Sequence, residues 1–200
     1  MLQNSNSKKK EERFPIYLDI LNKFDSLYVS SKLIAKETNF TEISVRKDLA
    51  SISNNGKPKL GFERLKLIND IKNHMRYDIV SNVILVGYGK LGKALFQYKG
   101  FTEYGVRVVQ AFDTVKQDNV LDISELGSYV KNNNIKFAAM TVPKDKAQSL
   151  ADLLVESGII GIWNFTSIRL NVPENIIVQN ENLATSLSIL IKATVDSEIK

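Results

Sequence analysis

Three glycines follow a short apolar run near the middle of the 200-residue chain. The run at residues 83–86 is rich in β-branched side chains, which is typical of a buried parallel strand. Gly87, Gly89 and Gly92 then form G-x-G-x-x-G before a helix predicted over residues 93–98. In a phosphate-binding turn, these glycines permit the bend, the approach of a pyrophosphate and close packing of the helix, respectively. The predicted ligand-binding run at this helix N-terminus is Gly87, Tyr88, Gly89, Lys90, Leu91 and Gly92.

An acidic residue follows at the distance expected for a second strand. Residues 106–112 read V-R-V-V-Q-A-F and lead to Asp113, 21 residues past Gly92. A carboxylate there accepts hydrogen bonds from ribose hydroxyls and repels a 2′-phosphate, which favours NAD(H) over NADP(H). The alternative for Asp113 is a turn residue or helix cap. A dinucleotide is therefore the leading ligand, ahead of a mononucleotide or coenzyme A.

Composition excludes several kinds of chemistry. The chain has no cysteine, so disulfides, thiolate metal sites and cysteine nucleophiles are excluded. The sole histidine, His74, lies in a connector and has no partner histidine, so we expect neither a metal site nor a catalytic residue. No apolar run approaches 18 residues, and the N-terminus lacks the apolar segment of a signal peptide. We therefore expect no membrane partner and a cytoplasmic location.

The formal charge of +5 is unevenly distributed. Residues 1–78 contain 15 Lys and Arg against 10 Asp and Glu, whereas residues 79–200 contain 12 of each. A basic N-terminal part joined to a neutral nucleotide-binding part suggests two partners, one of them polyanionic.

The basic part has the pattern of a helix-turn-helix. After a polar tail, residues 1–12, predicted to be disordered, helices are expected over residues 14–25, from Ser30 or Ser31, and from Thr41 to Ile52. Val45, Leu49 and Ile52 would face the core. The opposite face of the third helix is predicted to contact DNA through Thr41, Ser44, Lys47 and Ser51. The alternative is the solvated face of a structural bundle.

A wing is predicted after the third helix. Asn55-Gly56 is a turn signal, and Lys57 and Lys59 would meet the sugar-phosphate backbone at its tip. Another helix, with an apolar face including Leu65, precedes a linker at residues 75–81.

The C-terminal half alternates between predicted strands and helices, as in a doubly wound, mainly parallel α/β sheet. A third strand is expected in residues 120–129, where it would be short and vestigial. Further strands are expected over residues 137–142, 159–165 and 176–178, with a helix over residues 144–157. A last amphipathic helix follows Leu183.

Several motifs occur together in one order: V-R-K-D-L, a Gly-Lys wing ending G-F, V-G-Y-G-K-L-G, Y-K-G-F, A-F-D, T-V-P-K-D-K-A-Q and N-F. This combination resembles the Rex family of bacterial redox-sensing transcriptional repressors, from about Arg13 to the last helix. The resemblance implies a winged-helix domain at 13–78 that binds double-stranded operator DNA and a Rossmann domain at 79–180 that binds NAD(H). It also implies a homodimer in which the segment 181–200 is exchanged between protomers. NADH would change the domain orientation and release DNA.

The resemblance also implies roles for single residues. Arg46 joins the DNA-contacting set, and Thr141, Val142 and Pro143 border the cofactor. Asn164 is a candidate for contacting the nicotinamide amide, and satisfying a turn is an equal alternative.

The chain departs from the family pattern at the expected switch. Asp19 and Asn182 occupy the places of an arginine and an aspartate that form an ion pair. Tyr98 is retained and is expected to contact Asn182, whereas Leu183 replaces an aromatic residue beside the nicotinamide. Two alternatives follow. The first is a winged-helix regulator in which NADH coupling is weakened or a coenzyme A-type ligand takes the place of NADH. The second is a small NAD-dependent oxidoreductase. The latter lacks a proton-transfer constellation, so we predict a regulator that is not an enzyme.

Overall fold

The computed structural model describes residues 10–115, 117 and 119–198. It divides into two compact units. The first unit consists of two segments, one up to Asp78 and one that begins at Ile191. The second unit is Ile79–Leu190. None of the helices within the described residues has the length and apolar character needed to cross a membrane.

The first unit is a winged helix-turn-helix. Its elements are α1 (Lys10–Leu21), β1 (Tyr28–Val29), α2 (Ser31–Thr38), α3 (Glu42–Ala50), β2 (Gly56–Lys57), β3 (Gly61–Glu63) and α4 (Arg64–His74). The three strands form an antiparallel sheet in the order β1-β3-β2. The helices enclose one apolar core whose fully buried members include Phe14, Leu21, Ile34, Leu49 and Leu67. Burial of this cluster supplies the main driving force for folding of the unit.

Local capping defines the turn between α2 and α3. The Ser30 hydroxyl accepts a hydrogen bond from the N–H of Leu33 and starts α2. Asn39 ends α2 in the left-handed conformation (φ 57°), and Thr41 caps α3 through the N–H of Ser44. Phe40 is buried between these caps, with its ring perpendicular to that of Tyr17. The turn is therefore anchored to α1, which sets the position of α3.

Both predicted ends of the first helix are wrong. The first helix begins at Lys10, so the predicted disordered tail extends too far; Glu11 and Glu12 lie in its first turn, where acidic side chains are favourable. The helix ends at Leu21 instead of continuing to residue 25. The part of the tail at residues 1–9 lies outside the described residues.

The wing turn also differs from its prediction. Gly56 lies within β2, and the turn falls at residues 58–60, where Lys59 adopts φ 66°. Lys57 and Lys59 are both exposed next to this turn. On α4 the buried residues are Leu67 and Ile71, whereas Leu65 is 62% exposed, so its predicted place in the apolar face is wrong.

The second unit contains a six-stranded parallel sheet in the order β6-β5-β4-β7-β8-β9. The strands are β4 (Ser81–Val86), β5 (Val106–Asp113), β6 (Val120–Asp122), β7 (Phe137–Met140), β8 (Gly161–Asn164) and β9 (Ile177–Asn180). Its α-helices are α5 (Lys90–Gln97), α6 (Leu126–Asn132) and α7 (Lys144–Ser157), and the part of α8 (Leu183–Glu198) up to Leu190 also belongs to it. This order reverses beside β4, which creates the crevice that doubly wound folds use for ligands.

The two faces of this sheet are covered differently. On one face, α6 and α7 pack over Ile84, Phe112 and Met140. On the other, α5 packs through Leu95 and Phe96 near Leu85. A largely apolar cavity of about 520 Å³ remains on this second face, bordered by partly exposed side chains at Phe137, Ile160 and Ile177.

Several predicted element ends are displaced. The helix after the glycines begins at Lys90 rather than residue 93, which places Gly92 in its first turn. The strand predicted over residues 137–142 ends at Met140, because Thr141 turns away toward the glycine loop. The strand predicted over residues 159–165 is limited to Gly161–Asn164, and the sixth runs to Asn180.

Candidate nucleotide site and nucleic-acid interface

The glycine-rich turn has the geometry that its spacing predicts. Gly87 adopts φ +93°, and a Cβ there would lie 2.7 Å from the carbonyl oxygen of Thr141. A Cβ on Gly92 would overlap the carbonyl oxygen of Gly87. In contrast, a Cβ on Gly89 would meet nothing within 4 Å. Gly87 and Gly92 are therefore required by the packing of the chain, whereas Gly89 borders open space.

That open space is part of a cavity of about 780 Å³ at the carboxyl ends of β4, β5 and β7. Gly89 precedes α5 and provides no capping side chain, so the helix N-terminus offers its N–H groups to a ligand. The predicted residues that line the cavity are Gly87, Gly89, Asp113, Thr141, Val142 and Pro143. The others in the turn, Tyr88, Lys90, Leu91 and Gly92, lie outside its lining.

The sequence interpretation missed the start of α7 as part of this cavity. Asp145, Lys146 and Ser149 line it beside Pro143. The sequence could have predicted these three residues. A helix that directly follows a parallel strand begins at the sheet edge where the strand ends, which is the edge that binds ligands.

Asp113 lies at the end of β5 and is tied to the glycine turn. Its Oδ2 accepts the Tyr88 N–H at 2.5 Å, and its Oδ1 accepts the Val115 N–H at 3.1 Å. Partial burial by itself would raise the pKa of Asp113, but the backbone hydrogen bonds outweigh it and lower the pKa below its ordinary value. The side chain is therefore a carboxylate at neutral pH and adds one negative charge to the cavity.

The structure favours the turn role for Asn164. Its side chain is 0% exposed at the end of β8. The amide nitrogen donates to the carbonyl oxygen of Ile168 and to Oδ1 of Asn180, and its oxygen accepts two hydrogen bonds from Thr166. These four hydrogen bonds use the donors and acceptors of a side-chain amide. The Asn164 side chain therefore has no remaining group for a nicotinamide amide.

The predicted DNA-contacting residues divide into two groups. Arg46, Lys47, Lys57 and Lys59 are exposed. The hydroxyls of Thr41 and Ser44 bond each other at 2.8 Å as part of the α3 cap, and the Ser51 hydroxyl donates to the carbonyl oxygen of Asp48. Capping thus uses part of the hydrogen-bonding capacity of the three hydroxyl residues.

The wing lysine Lys57 has a local partner. Its ammonium donates to the Tyr28 hydroxyl at 2.8 Å and lies 5.1 Å from the centre of that ring. The hydrogen bond raises the pKa of Lys57. Tyr28 on β1 therefore orients Lys57, a predicted phosphate contact. The sequence did not indicate this role of Tyr28.

A buried ion pair on the inner side of α3 was also missed. Arg13 on α1 donates two hydrogen bonds of 2.8 Å to the carboxylate of Asp48, which is almost fully buried. The Tyr17 hydroxyl donates to the same carboxylate at 2.7 Å. Burial, and after it this hydrogen bond, raises the pKa of Tyr17. These contacts join α1 to the helix that carries Arg46 and Lys47.

The predicted switch residues have the following surroundings. Asp19 is exposed on α1, and its charge, together with the larger effect of burial, raises the pKa of Tyr77. The Tyr98 ring lies 5.0 Å from that of Phe101. Asn182 accepts a hydrogen bond from the N–H of Thr185 at the start of α8, and Leu183 is exposed. Their predicted roles in switching stay predictions.

Comparison with known proteins agrees with both units. Residues 78–168 match a family model described as "CoA binding domain", and residues 8–50 match one described as "Putative DNA-binding protein N-terminus". A winged helix joined to a Rossmann-type domain with a phosphate-binding turn defines a ligand-responsive DNA-binding regulator.

The relatives make this class specific. The chain is 36% identical over 182 residues to the redox-sensing transcriptional repressor Rex of Clostridium botulinum, with 87% of each chain covered. Identity to the Rex of Treponema denticola is 36% over 189 residues, covering 89% of this chain and 90% of that one. The chain belongs to the Rex family of redox-sensing transcriptional repressors.

Solved structures agree over nearly the full chain. RSP in complex with β-NAD⁺ and operator DNA aligns with a TM-score of 0.86 at 29% identity, covering 95% of this chain and 93% of that one. RSP in complex with β-NADH aligns with a TM-score of 0.84 at 28% identity, with 95% and 94% covered. The predicted family and two-part fold are confirmed. The family consists of repressors, which also supports the prediction of a regulator over an oxidoreductase.

Proposed function

We propose that this chain binds operator DNA through α3 and the wing, and that NADH bound to the second unit lowers this affinity. The observation that carries the proposal is the glycine turn, which leaves open space in front of Gly89 beside the ionised Asp113. A pyrophosphate would bind the N-terminus of α5, and an adenosine ribose would bind Asp113. Relatives in complex with β-NAD⁺ and β-NADH favour NAD(H) over a coenzyme A-type ligand.

The DNA-binding role is supported by the charge and shape of the first unit. Arg46 and Lys47 extend from α3, and Lys57 and Lys59 lie on the wing. Cations in these places neutralise phosphates and release counterions, so operator affinity should fall steeply with salt concentration. The proposed binding to operator DNA implies a cytoplasmic location.

A homodimer is supported by the apolar side chains of α8. Leu187, Leu190 and Ile191 share one face of this helix and are all about half exposed or more. An exposed apolar stripe of this length is typical of an interface. The segment 181–200 is therefore proposed as a dimerisation helix, and two copies would match a palindromic operator.

A second candidate function is a DNA-binding regulator with weakened response to NADH. The observation that favours it is the pair Asp19 and Asn182, which cannot form the ion pair that the family resemblance implies. Because allosteric coupling is typically about 1–3 kcal/mol, loss of one ion pair can remove much of it.

The test is a fluorescence-anisotropy titration of a palindromic operator-like duplex at fixed salt, with NADH and NAD⁺ added separately. Release at a much lower concentration of NADH than of NAD⁺ is the expected result. Tight DNA binding that neither nucleotide changes would contradict the redox-sensing proposal and favour the second candidate.

Lys47→Glu separates the two partners in the same assay. Reversal of this exposed charge should abolish duplex binding and leave NADH binding, followed by nucleotide fluorescence, unchanged. Unchanged duplex affinity would show that α3 is not the recognition helix.

A further inference from the structure

One large apolar side chain on α3 faces solvent instead of the core. Ile43 is 58% exposed, whereas Val45 and Leu49 on the same helix are fully buried. Ile43 is the second residue of α3, within its first turn. The N-terminal residues of a recognition helix are the ones that approach base edges.

The buried residues determine which face of α3 points outward. Val45, Asp48 and Leu49 form the inner side. Ile43, Lys47 and Ala50 follow at i, i+4 and i+7, so they share the opposite face, and all three are exposed. Thr41 and Ser44 lie toward the flanks, where their hydroxyls form the helix cap. The centre of the outward face is therefore alkyl and cationic rather than hydroxyl-rich.

Base edges in the major groove offer one apolar group, the 5-methyl group of thymine. A branched alkyl side chain has no hydrogen bond to offer and is stabilised by contact with that methyl. We propose that Ile43 contacts a thymine methyl in each operator half-site and thereby determines sequence preference at that position. This inference rests on the proposed DNA-binding function, since it assigns one base contact to the same helix.

The experiment removes the methyl group without changing base pairing. Wild-type protein first selects duplexes from a random pool, and each thymine of the selected half-site is then replaced by deoxyuridine. Binding is measured by anisotropy at fixed salt for the wild type and for Ile43→Ala. Wild-type affinity should fall about fourfold at one thymine, the effect of losing one buried methyl group. The Ile43→Ala protein should bind the thymine and deoxyuridine duplexes equally.

Two further variants serve as controls. Ile43→Val keeps a branched alkyl group and should retain most of the thymine preference, which guards against a general effect of substitution on α3. Leu65→Ala removes an equally exposed alkyl group from α4 and should leave the thymine preference unchanged.

The outcomes are distinct. Equal wild-type affinity for thymine and deoxyuridine at every position overturns the inference, as does an Ile43→Ala protein that keeps the full thymine preference. A wild-type protein that selects no duplex overturns the proposed function itself.

Discussion

At the scale of single residues, the two carboxylates that matter most have opposite surroundings. Asp113 borders a cavity and receives hydrogen bonds from backbone N–H groups. Asp48 is buried in the first unit and receives its hydrogen bonds from Arg13 and Tyr17. The first is therefore placed to bind a ligand, and the second holds two helices together.

Asp113→Asn should weaken NADH binding and reduce discrimination against NADPH. The substitution keeps the size of the side chain but removes the charge that repels a 2′-phosphate, an effect of about 1 kcal/mol or more. Titration of nucleotide fluorescence with each cofactor measures both changes. An unchanged NADH to NADPH affinity ratio would contradict the assignment of Asp113 to the ribose.

The lowered pKa of Asp113 also gives a dependence of stability on pH. A carboxyl whose folded-state pKa is below its unfolded value of 3.8 stabilises the fold above that pH, and this contribution is lost as the pH falls through the folded-state pKa. Asp113→Asn should therefore lose less stability than the wild type between pH 4 and pH 2, as measured by thermal unfolding. A parallel loss in both proteins would be the contrary result.

Arg13→Met should destabilise the first unit by about 3 kcal/mol, because it leaves the buried Asp48 carboxylate without its cation. Tyr17→Phe removes one hydrogen bond to the same carboxylate and should cost about 1–2 kcal/mol. Calorimetric unfolding measures both values. The matched control is Arg13→Met combined with Asp48→Asn, which removes the unpaired charge and should recover part of the loss.

At the scale of elements, the phosphate-binding turn depends on two different properties of glycine. Gly92 permits α5 to approach β4, where a methyl group would overlap the carbonyl oxygen of Gly87. Gly89 has ordinary backbone angles (φ −66°) and space around its Cα. Gly92 is therefore required for folding, whereas Gly89 is required only when a ligand fills the space around its Cα.

Gly89→Ala and Gly92→Ala form a matched pair that tests this distinction. Gly89→Ala should change stability by less than about 0.5 kcal/mol but weaken NADH binding, since the added methyl group enters the pyrophosphate space. Gly92→Ala should cost about 3 kcal/mol through overpacking and weaken NADH binding as well. Thermal unfolding and NADH titration are measured on both proteins. Full NADH affinity in Gly89→Ala would place the pyrophosphate elsewhere.

The wing and α3 show how elements orient cations. Lys57 on β2 is held by Tyr28 on β1, across the intervening strand β3, and α3 is held by the Arg13–Asp48 pair on its inner face. Restricting the positions of these groups before binding reduces the entropy lost when DNA is bound.

At the scale of the whole molecule, apolar surface is left exposed in the single chain. The stripe on α8 and the cavity on one face of the parallel sheet both belong to this surface. Contiguous exposed apolar side chains are typical of protein–protein interfaces, as the proposed homodimer requires.

Leu187→Glu should weaken the homodimer, because a charge on the apolar face of α8 would be buried without a partner. Thr185→Glu adds the same charge at an exposed position about 160° around the helix from Leu187, and is the control. Sedimentation at several protein concentrations should show monomers for the first protein only. A stable dimer of Leu187→Glu would exclude this face of α8 from the interface.

Local patterns were sufficient for the fold class and for the glycine turn and Asp113 in the nucleotide cavity. Glycine spacing, apolar periodicity and the position of Asp113 each report a constraint that acts within a few residues or one βαβ unit. The parallel pairing of β4 with β5 and the positive φ of Gly87 follow from the same constraints. Element ends were less predictable, since the start of α1 and the end of β7 depend on capping and on packing by neighbouring segments.

The remaining features required tertiary structure because they depend on partners distant in the chain. Arg13 meets Asp48 across 35 residues, and nothing in V-R-K-D-L indicates that its aspartate is buried. Asn164 had two equal predicted alternatives, and its hydrogen bonds with Ile168, Thr166 and Asn180 favour the turn role over the nicotinamide contact. Ile43 is apolar and yet exposed, because packing of α3 against α1 and α2 determines which of its faces remains in solvent. The sequence predicted which helix would meet DNA, whereas only packing decided which side chains that helix presents to solvent.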